Sequence, residues 1–316
     1  MLAFTALVDG RSVIHVMQLD SREPIPVTTM MYDARSPQWS PEGTRLAFIA
    51  AINANEPSRL CMAVLPDYQM DCLELSGVIS FAWAPSGDQL VIATNALVDG
   101  PSYKTYLYDL KNRKLSVLLE ADVPTVHLEW SPDGRWISAI ATSVQTTVRF
   151  VYLLSTHGQM QRLQLKGMPE TLDWHPSGQQ LAYDNIDYPT FDQLDIHVIN
   201  VDGTGDHPLT NMRQFAHEPQ WSPSGTSLAF QSYGPNESPA LYIMDVKAGR
   251  TTQISPLGAR SSVPTWSPDG RIIAFLVETE DVQASGYSLN LYYVGTGIVQ
   301  ELLGGGLLPR WPAWRP

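Results

Sequence analysis

Apolar and polar positions alternate along this chain in short blocks, and the blocks recur. Apolar triplets stand at Leu46-Ala47-Phe48, Leu90-Val91-Ile92, Ile137-Ser138-Ala139, Leu181-Ala182-Tyr183, Leu228-Ala229-Phe230 and Ile273-Ala274-Phe275. Each begins seven residues after a tryptophan, namely Trp39, Trp83, Trp130, Trp174, Trp221 and Trp266. Runs this short, bounded by Gly, Pro, Asn and Ser, read as buried strands rather than helices. A further apolar block follows each triplet: Leu60–Leu65, Thr105–Leu110, Arg149–Leu154, Ile196–Val201, Leu241–Val246 and Leu291–Val294, with Val13–Leu19 as an earlier copy. Around Trp221 the whole unit is visible. Pro219-Gln220-Trp221 is a short first strand, Leu228-Ala229-Phe230 a second, Leu241-Tyr242-Ile243-Met244 a third, and Thr251-Thr252-Gln253-Ile254 a fourth with polar alternation.

The first turn of every unit carries one phrase: Trp-Ser-Pro-Glu-Gly at Trp39, Trp-Ala-Pro-Ser-Gly at Trp83, Trp-Ser-Pro-Asp-Gly at Trp130 and Trp266, Trp-His-Pro-Ser-Gly at Trp174, and Trp-Ser-Pro-Ser-Gly at Trp221. Proline presets φ at the second turn position, and glycine takes a φ that other residues resist. A truncated copy, Trp314-Arg315-Pro316, follows, and the steps are 44, 47, 44, 47, 45 and 48 residues. Such a period predicts an all-β propeller with one four-stranded sheet per repeat. Met1-Leu2-Ala3-Phe4 reads as a second strand without its tryptophan, and the last tryptophan as a first strand without followers. Joining them predicts a seven-bladed β-propeller of four-stranded blades, a single domain over 1–316, closed by one C-terminal strand pairing with three N-terminal strands. Trp311 offers a second register for that last strand, 45 residues after Trp266.

Charge narrows the partners. The net charge is −12 and no Lys/Arg cluster stands out, which argues against nucleic acid and against an anionic membrane surface. No apolar stretch reaches transmembrane length. Met1 stands directly before a core strand, so no leader is expected within this chain. The two cysteines, Cys61 and Cys72, fall on neighbouring strands of one unit, joined by a turn around Pro66-Asp67. Antiparallel neighbours permit either a disulfide or two buried thiols; a bridge favours an extracytoplasmic home.

The phrase Trp-Ser-Pro-Asp-Gly followed by an apolar triplet resembles the TolB-type propeller repeat, a WD-like repeat of many bacterial proteins. Leu241-Tyr242-Ile243-Met244-Asp245 and Ile196-His197-Val198-Ile199-Asn200 are similar to that family's third strand. Val201-Asp202-Gly203-Thr204-Gly205 with Pro208-Leu209-Thr210 is similar to its following turn and fourth strand. The resemblance covers essentially the whole chain and implies the fold; it also implies an envelope or secreted setting. TolB's own six blades and additional α/β domain do not fit this chain, so its role with envelope partners is not carried over. Prolyl-oligopeptidase-like enzymes place such a propeller before a hydrolase domain, but no Gly-x-Ser-x-Gly elbow occurs here. Lyases of acidic oligosaccharides share the propeller too, and their His-rich metal set has no residue-by-residue match here.

Chemistry in a propeller is expected at the mouth of the central channel. The residues three and four places before each tryptophan enter there: Arg35 and Ser36, Ile79 and Ser80, Val126 and His127, Glu170 and Thr171, His217 and Glu218, Ser262 and Val263, Arg310 and Trp311. His127, Glu170 and His217 are of the residue types that hold Zn or Mn; a solvated polar ring is the plainer expectation. Glu170 with Glu218 or His217 is the best acid/base pair. Trp311 is expected to pack on the terminal strand, and His175, His197 and His207 to be structural. Asp184-Asn185-Ile186-Asp187-Tyr188-Pro189, Glu278-Thr279-Glu280-Asp281 with Tyr287, Tyr233-Gly234-Pro235-Asn236, and Tyr32 with Asp33 predict an acidic, Tyr-rich loop face, a composition suited to recognition.

Three readings follow. The first is a non-enzymatic binding scaffold presenting a loop-lined face to a protein or peptide, with no cofactor. The second is a carbohydrate-active or hydrolytic enzyme with its site at the channel mouth. The third is a sensor or adaptor domain of a larger envelope protein.

Overall fold

The computed structural model describes residues 1–28, 31, 33–53, 55–95, 103–121, 124–143, 145–146, 148–186, 194–210, 215–233, 238–279, 286–304 and 307–316. The expected loop-face residues Tyr32, Asp187, Tyr188, Pro189, Gly234, Pro235, Asn236, Glu280 and Asp281 lie outside the described residues. Among the described residues the fold is all-β without a helix. The chain forms two compact units, one of residues 1–74 with 222–316, the other of residues 75–221.

The strands run in order as follows. First come β1 (Leu2–Val8), β2 (Arg11–Met17), β3 (Ile25–Pro26), β4 (Asp33–Trp39), β5 (Arg45–Ala51), β6 (Arg59–Val64) and β7 (Gln69–Ser76). Next are β8 (Val78–Trp83), β9 (Gln89–Thr94), β10 (Tyr103–Asp109), β11 (Lys114–Ala121), β12 (Thr125–Trp130), β13 (Ile137–Thr142), β14 (Arg149–Leu154) and β15 (Met160–Leu163). Then follow β16 (Leu172–Trp174), β17 (Gln180–Ile186), β18 (Leu194–Asn200), β19 (His207–Pro208), β20 (His217–Trp221), β21 (Ser227–Tyr233), β22 (Pro239–Asp245) and β23 (Arg250–Gln253). The last are β24 (Ser261–Trp266), β25 (Ile272–Thr279), β26 (Gly286–Tyr293), β27 (Ile298–Leu303) and β28 (Leu308–Trp314).

The unit of residues 75–221 holds three four-stranded antiparallel sheets, β8 to β11, β12 to β15 and β16 to β19. Its core lies between successive sheets. Leu128 and Trp130 of β12 pack with Ala82, Val91 and Ala93 of the sheet before. Leu172 and Trp174 of β16 pack with Ile140, Val151 and Leu153 in the same way. The tryptophans are thus wedges, each pressing its first strand against the previous sheet.

In the other unit, β24 to β27 form a four-stranded sheet. β28 pairs with β1, which continues to β2 and β3; among the described residues a parallel bridge, Ser12 to Asp33, links this group to β4-β5-β6-β7. Trp314 stands opposite Leu2, as Trp39 stands opposite Leu46 and Trp266 opposite Ile273. This settles the register of the last strand on Trp314. Trp311 occupies a left-handed position with φ 48°, matching Ser36 and Val263, which also lie three residues before their tryptophans. The pairing register shifts at this point in β4, β24 and the β28 pairing, so a bulge recurs there. Arg315 ties the end of the chain down: its Nε donates to the Gly43 carbonyl at 2.7 Å and its guanidinium lies 5.7 Å from the Trp39 ring. Cys61 on β6 and Cys72 on β7 are joined by a disulfide.

The repeated phrase builds a hydrogen-bonded turn. Ser267 N–H donates to the Ile272 carbonyl, Gly270 N–H to the Ser267 carbonyl, and Ile272 N–H to Ser267 Oγ at 2.9 Å. Ser267 Oγ in turn donates to Asp269 Oδ1 at 2.7 Å. Gly270 adopts φ 69°, which explains a glycine there in every copy.

Candidate functional site

The first strands of the 75–221 unit position the polar groups. β12 keeps its pairing register from His127 to Trp130, so successive side chains alternate in direction. Leu128 and Trp130 point back toward the sheet before. His127 and Glu129 therefore share the opposite face, toward β16. There Glu129 meets Asp173, the residue immediately before Trp174, and the two carboxyl groups hydrogen-bond to each other.

Each carboxyl also braces the next first strand. The backbone N–H of Trp174 donates to Glu129. That of Trp221 donates to Asp173 Oδ2 at 2.5 Å. Burial raises both carboxyls, and mutual repulsion raises Glu129 further, well above the carboxylate range. Two buried carboxyls in hydrogen-bond contact do not both ionise readily, so the pair holds a proton near neutral pH. Glu129 Oε2 and His127 Nε2 are both enclosed and have no partner among the described residues. Burial pushes His127 down to about 4, so its ring is neutral. His127, Glu129 and Asp173 nevertheless keep some solvent contact.

A second polar group gathers at the entry of β16. Arg149 at the start of β14 pairs with Glu170 at 2.5 Å. Asp184 on β17 is buried; its Oδ1 accepts from the backbone N–H of Glu170 at 2.6 Å and of Thr171 at 2.8 Å, and its Oδ2 from Thr171 Oγ1 at 2.8 Å. Burial raises Asp184, whereas these hydrogen bonds and the nearby His217 work against the rise. Glu170 and His217 are thus brought to one carboxylate, with Glu218 next in the chain at φ 53°.

Among the described residues no three His, Cys, Asp or Glu side chains are grouped to hold a metal ion. Each of His127, Glu170 and His217 is engaged elsewhere: the His127 ring is enclosed beside Glu129, Glu170 faces Arg149, and His217 faces Asp184.

In the other unit Arg35 pairs with Asp33 at 3.0 Å, and Arg310 stands exposed opposite Thr5. Trp311, within β28, is 40% exposed and left-handed at φ 48°. A small cavity of about 80 Å³ is lined by Gln231, Pro239, Arg260, Ser261, Ser262, Glu278 and Tyr287. That is well below the roughly 300–1,000 Å³ of ligand pockets, and Arg260 and Glu278 pair across it at 2.5 Å.

His175, His197 and His207 hold local structure. His175 Nδ1 lies 2.7 Å from Ser177 Oγ, and its ring meets Trp221 edge-on at 4.7 Å. His197 Nδ1 lies 2.9 Å from Asp206, which also accepts from Tyr183. His207 Nδ1 lies 2.6 Å from the Gly205 carbonyl.

No protein-family model matches the chain. Curated relatives similar to it include two of different kinds. Dipeptidyl-peptidase 5 of Porphyromonas gingivalis is 22% identical over 291 residues, 86% of this chain and 40% of the relative. A TolB homolog of Chlorobium chlorochromatii is 38% identical over 72 residues, 23% of this chain and 16% of the relative. In five curated relatives the match spans 56% of the relative's length or less. Among solved structures, TolB from Acinetobacter baumannii superposes with a TM-score of 0.61 at 15% identity, covering 100% of this chain and 66% of that one. An oligogalacturonate lyase in complex with manganese gives 0.68 at 16% identity, covering 95% and 83%.

Proposed function

Starting from a chain that is a TolB-type β-propeller in fold, we propose that it is a non-enzymatic scaffold, a seven-bladed ring that binds a protein or peptide partner. The observation that carries this reading is the state of the best acid/base candidates. Glu170 is held by Arg149, and Asp184 spends both its oxygens on Glu170 and Thr171. Groups so engaged fix loop geometry; a general acid or base must be within reach of a substrate proton instead. The similarity to TolB proteins supports the same reading. The Cys61–Cys72 disulfide supports a periplasmic or secreted home.

A second reading is the propeller part of a larger peptidase, favoured by the match to dipeptidyl-peptidase 5 across 86% of this chain. One experiment separates the two. The full chain is immobilised against panels of basic, neutral and acidic peptides, and in parallel incubated with chromogenic peptides, esters and oligogalacturonate. Binding without turnover is expected. Turnover that disappears in Glu170→Gln or His217→Ala would overturn the scaffold reading.

A further inference from the structure

Glu129, Asp173 and His127 have no part in the scaffold's loop contacts, yet they form an unusual set. In the matching place before other tryptophans the chain carries Gln38, Ala82, Gln220, Thr265 and Ala313, all without charge. Only the two successive first strands β12 and β16 carry acids there. Each acid satisfies one neighbouring N–H, which leaves acceptor capacity over: Glu129 Oε2 is enclosed and unpartnered among the described residues. His127 Nε2, on the same face of β12, is enclosed and unpartnered as well. None of the groups that set the protonation of the two acids is a cation. The strands packed on β12 and β16 bring few other titratable groups: Tyr183 and Asp184 on β17, and His217 and Glu218 on β20, with none on β8, β9 or β13.

Unmet acceptors in an enclosed place call for a donor with several hydrogens and positive charge. A guanidinium offers five N–H groups in a planar fork and is more weakly hydrated than an ammonium, so it enters such a place at lower desolvation cost. We propose that Glu129, Asp173 and His127 form a receptor for an arginine side chain carried by the peptide partner. The two carboxyls take the fork, and the neutral imidazole accepts through Nε2. On arrival the cation favours the ionised form of both acids, so the proton they share passes to solvent. This inference rests on the scaffold reading and names the chemistry of its partner.

The test uses the full chain and a glycine-serine hexapeptide with one central arginine, compared with the same peptide carrying citrulline, its uncharged isostere. Isothermal titration at pH 7 in buffers of different ionisation heat reads affinity and proton release together. Tenfold or greater preference for arginine is expected, with proton release, both lost in Glu129→Gln and Asp173→Asn at unchanged circular dichroism. Should Asp173→Asn not fold, the preference and proton release of the native chain with Glu129→Gln decide. Equal binding of the two peptides, or full arginine preference in the variants, would overturn the receptor. So would stoichiometric Mg²⁺ or Ca²⁺ uptake that depends on Asp173 without an arginine preference. Binding of other peptides in the panel without arginine preference removes this inference and leaves the scaffold standing; turnover removes the scaffold itself.

Discussion

At the scale of single residues, buried ionisable groups leave a signature in stability. The Glu129–Asp173 pair is raised by burial, with Asp173 brought up to about 7. The folded chain therefore holds a proton more tightly than the unfolded one. The stability due to this pair is complete below the ordinary carboxylate value of roughly 4 and is lost as pH rises through about 7. His127 slopes the other way. Burial holds it down to about 4, so its contribution is present above roughly 6.5 and is lost as pH falls. Asp173→Asn keeps an acceptor for the Trp221 N–H but cannot ionise. We expect it to melt above the native chain at pH 8, by about 1–3 kcal/mol, with little difference at pH 5. Identical pH slopes for the two chains in thermal melts would sink this account.

At the scale of elements, the turn after each tryptophan is the unit that repeats. In Ser267 the hydroxyl accepts one N–H and donates to Asp269; Ala84 occupies that place in the turn after Trp83 and has no hydroxyl to offer. Ser267→Ala is expected to cost about 1 kcal/mol and Ala84→Ser to return a similar amount, each read as a shift in urea midpoint. Shifts of the same sign would mean the hydroxyl is not what holds the turn. These turns and the strands around them were legible because Pro and Gly punctuate strongly and apolar triplets follow at fixed spacing. The bulge three residues before the tryptophans was not, because Ser36, Glu218, Val263 and Trp311 are not residue types that announce a left-handed backbone. That bulge changes which way the entry residues face, so spacing from the tryptophan alone does not say which of them meet: Glu170 and His217 come to Asp184, while His127 lies beside Glu129. The carboxyl pair sits one residue before its tryptophans, not at the strand entries where the polar residue types cluster. A signal existed in Glu129 and Asp173, acids at the same step of two successive strands that are otherwise apolar or uncharged there.

At the scale of the whole chain, the pairing of β1 with β28 was legible from counting repeats, since an N-terminal second strand lacked a partner. It joins residues more than 300 apart in sequence, with Leu2 opposite Trp314. Non-local pairings of this kind are slow to form because loop closure precedes the contacts that reward it. Removing residues 307–316 takes away β28 along with the Trp314 Nε1 bond to the Thr265 carbonyl and the Arg315 bond to Gly43. It also bares the edge of β1, a template for aggregation. We expect the truncated chain to lose its cooperative melting transition and to self-associate in light scattering; a monomer with a native melt would contradict this.

The same clasp has a mechanical direction. β1 and β28 run antiparallel, with Leu2 and Trp314 at the same end of the pair. Tension applied between the two chain termini therefore peels the hydrogen bonds apart one after another, whereas a parallel clasp would load them all at once. Pulled from its ends in a single-molecule experiment, the molecule should yield first at this seam and at low force, and the sheets within should resist longer. A partner that lies across β28 would shield the seam, and its arrival would be felt as a rise in that first rupture force.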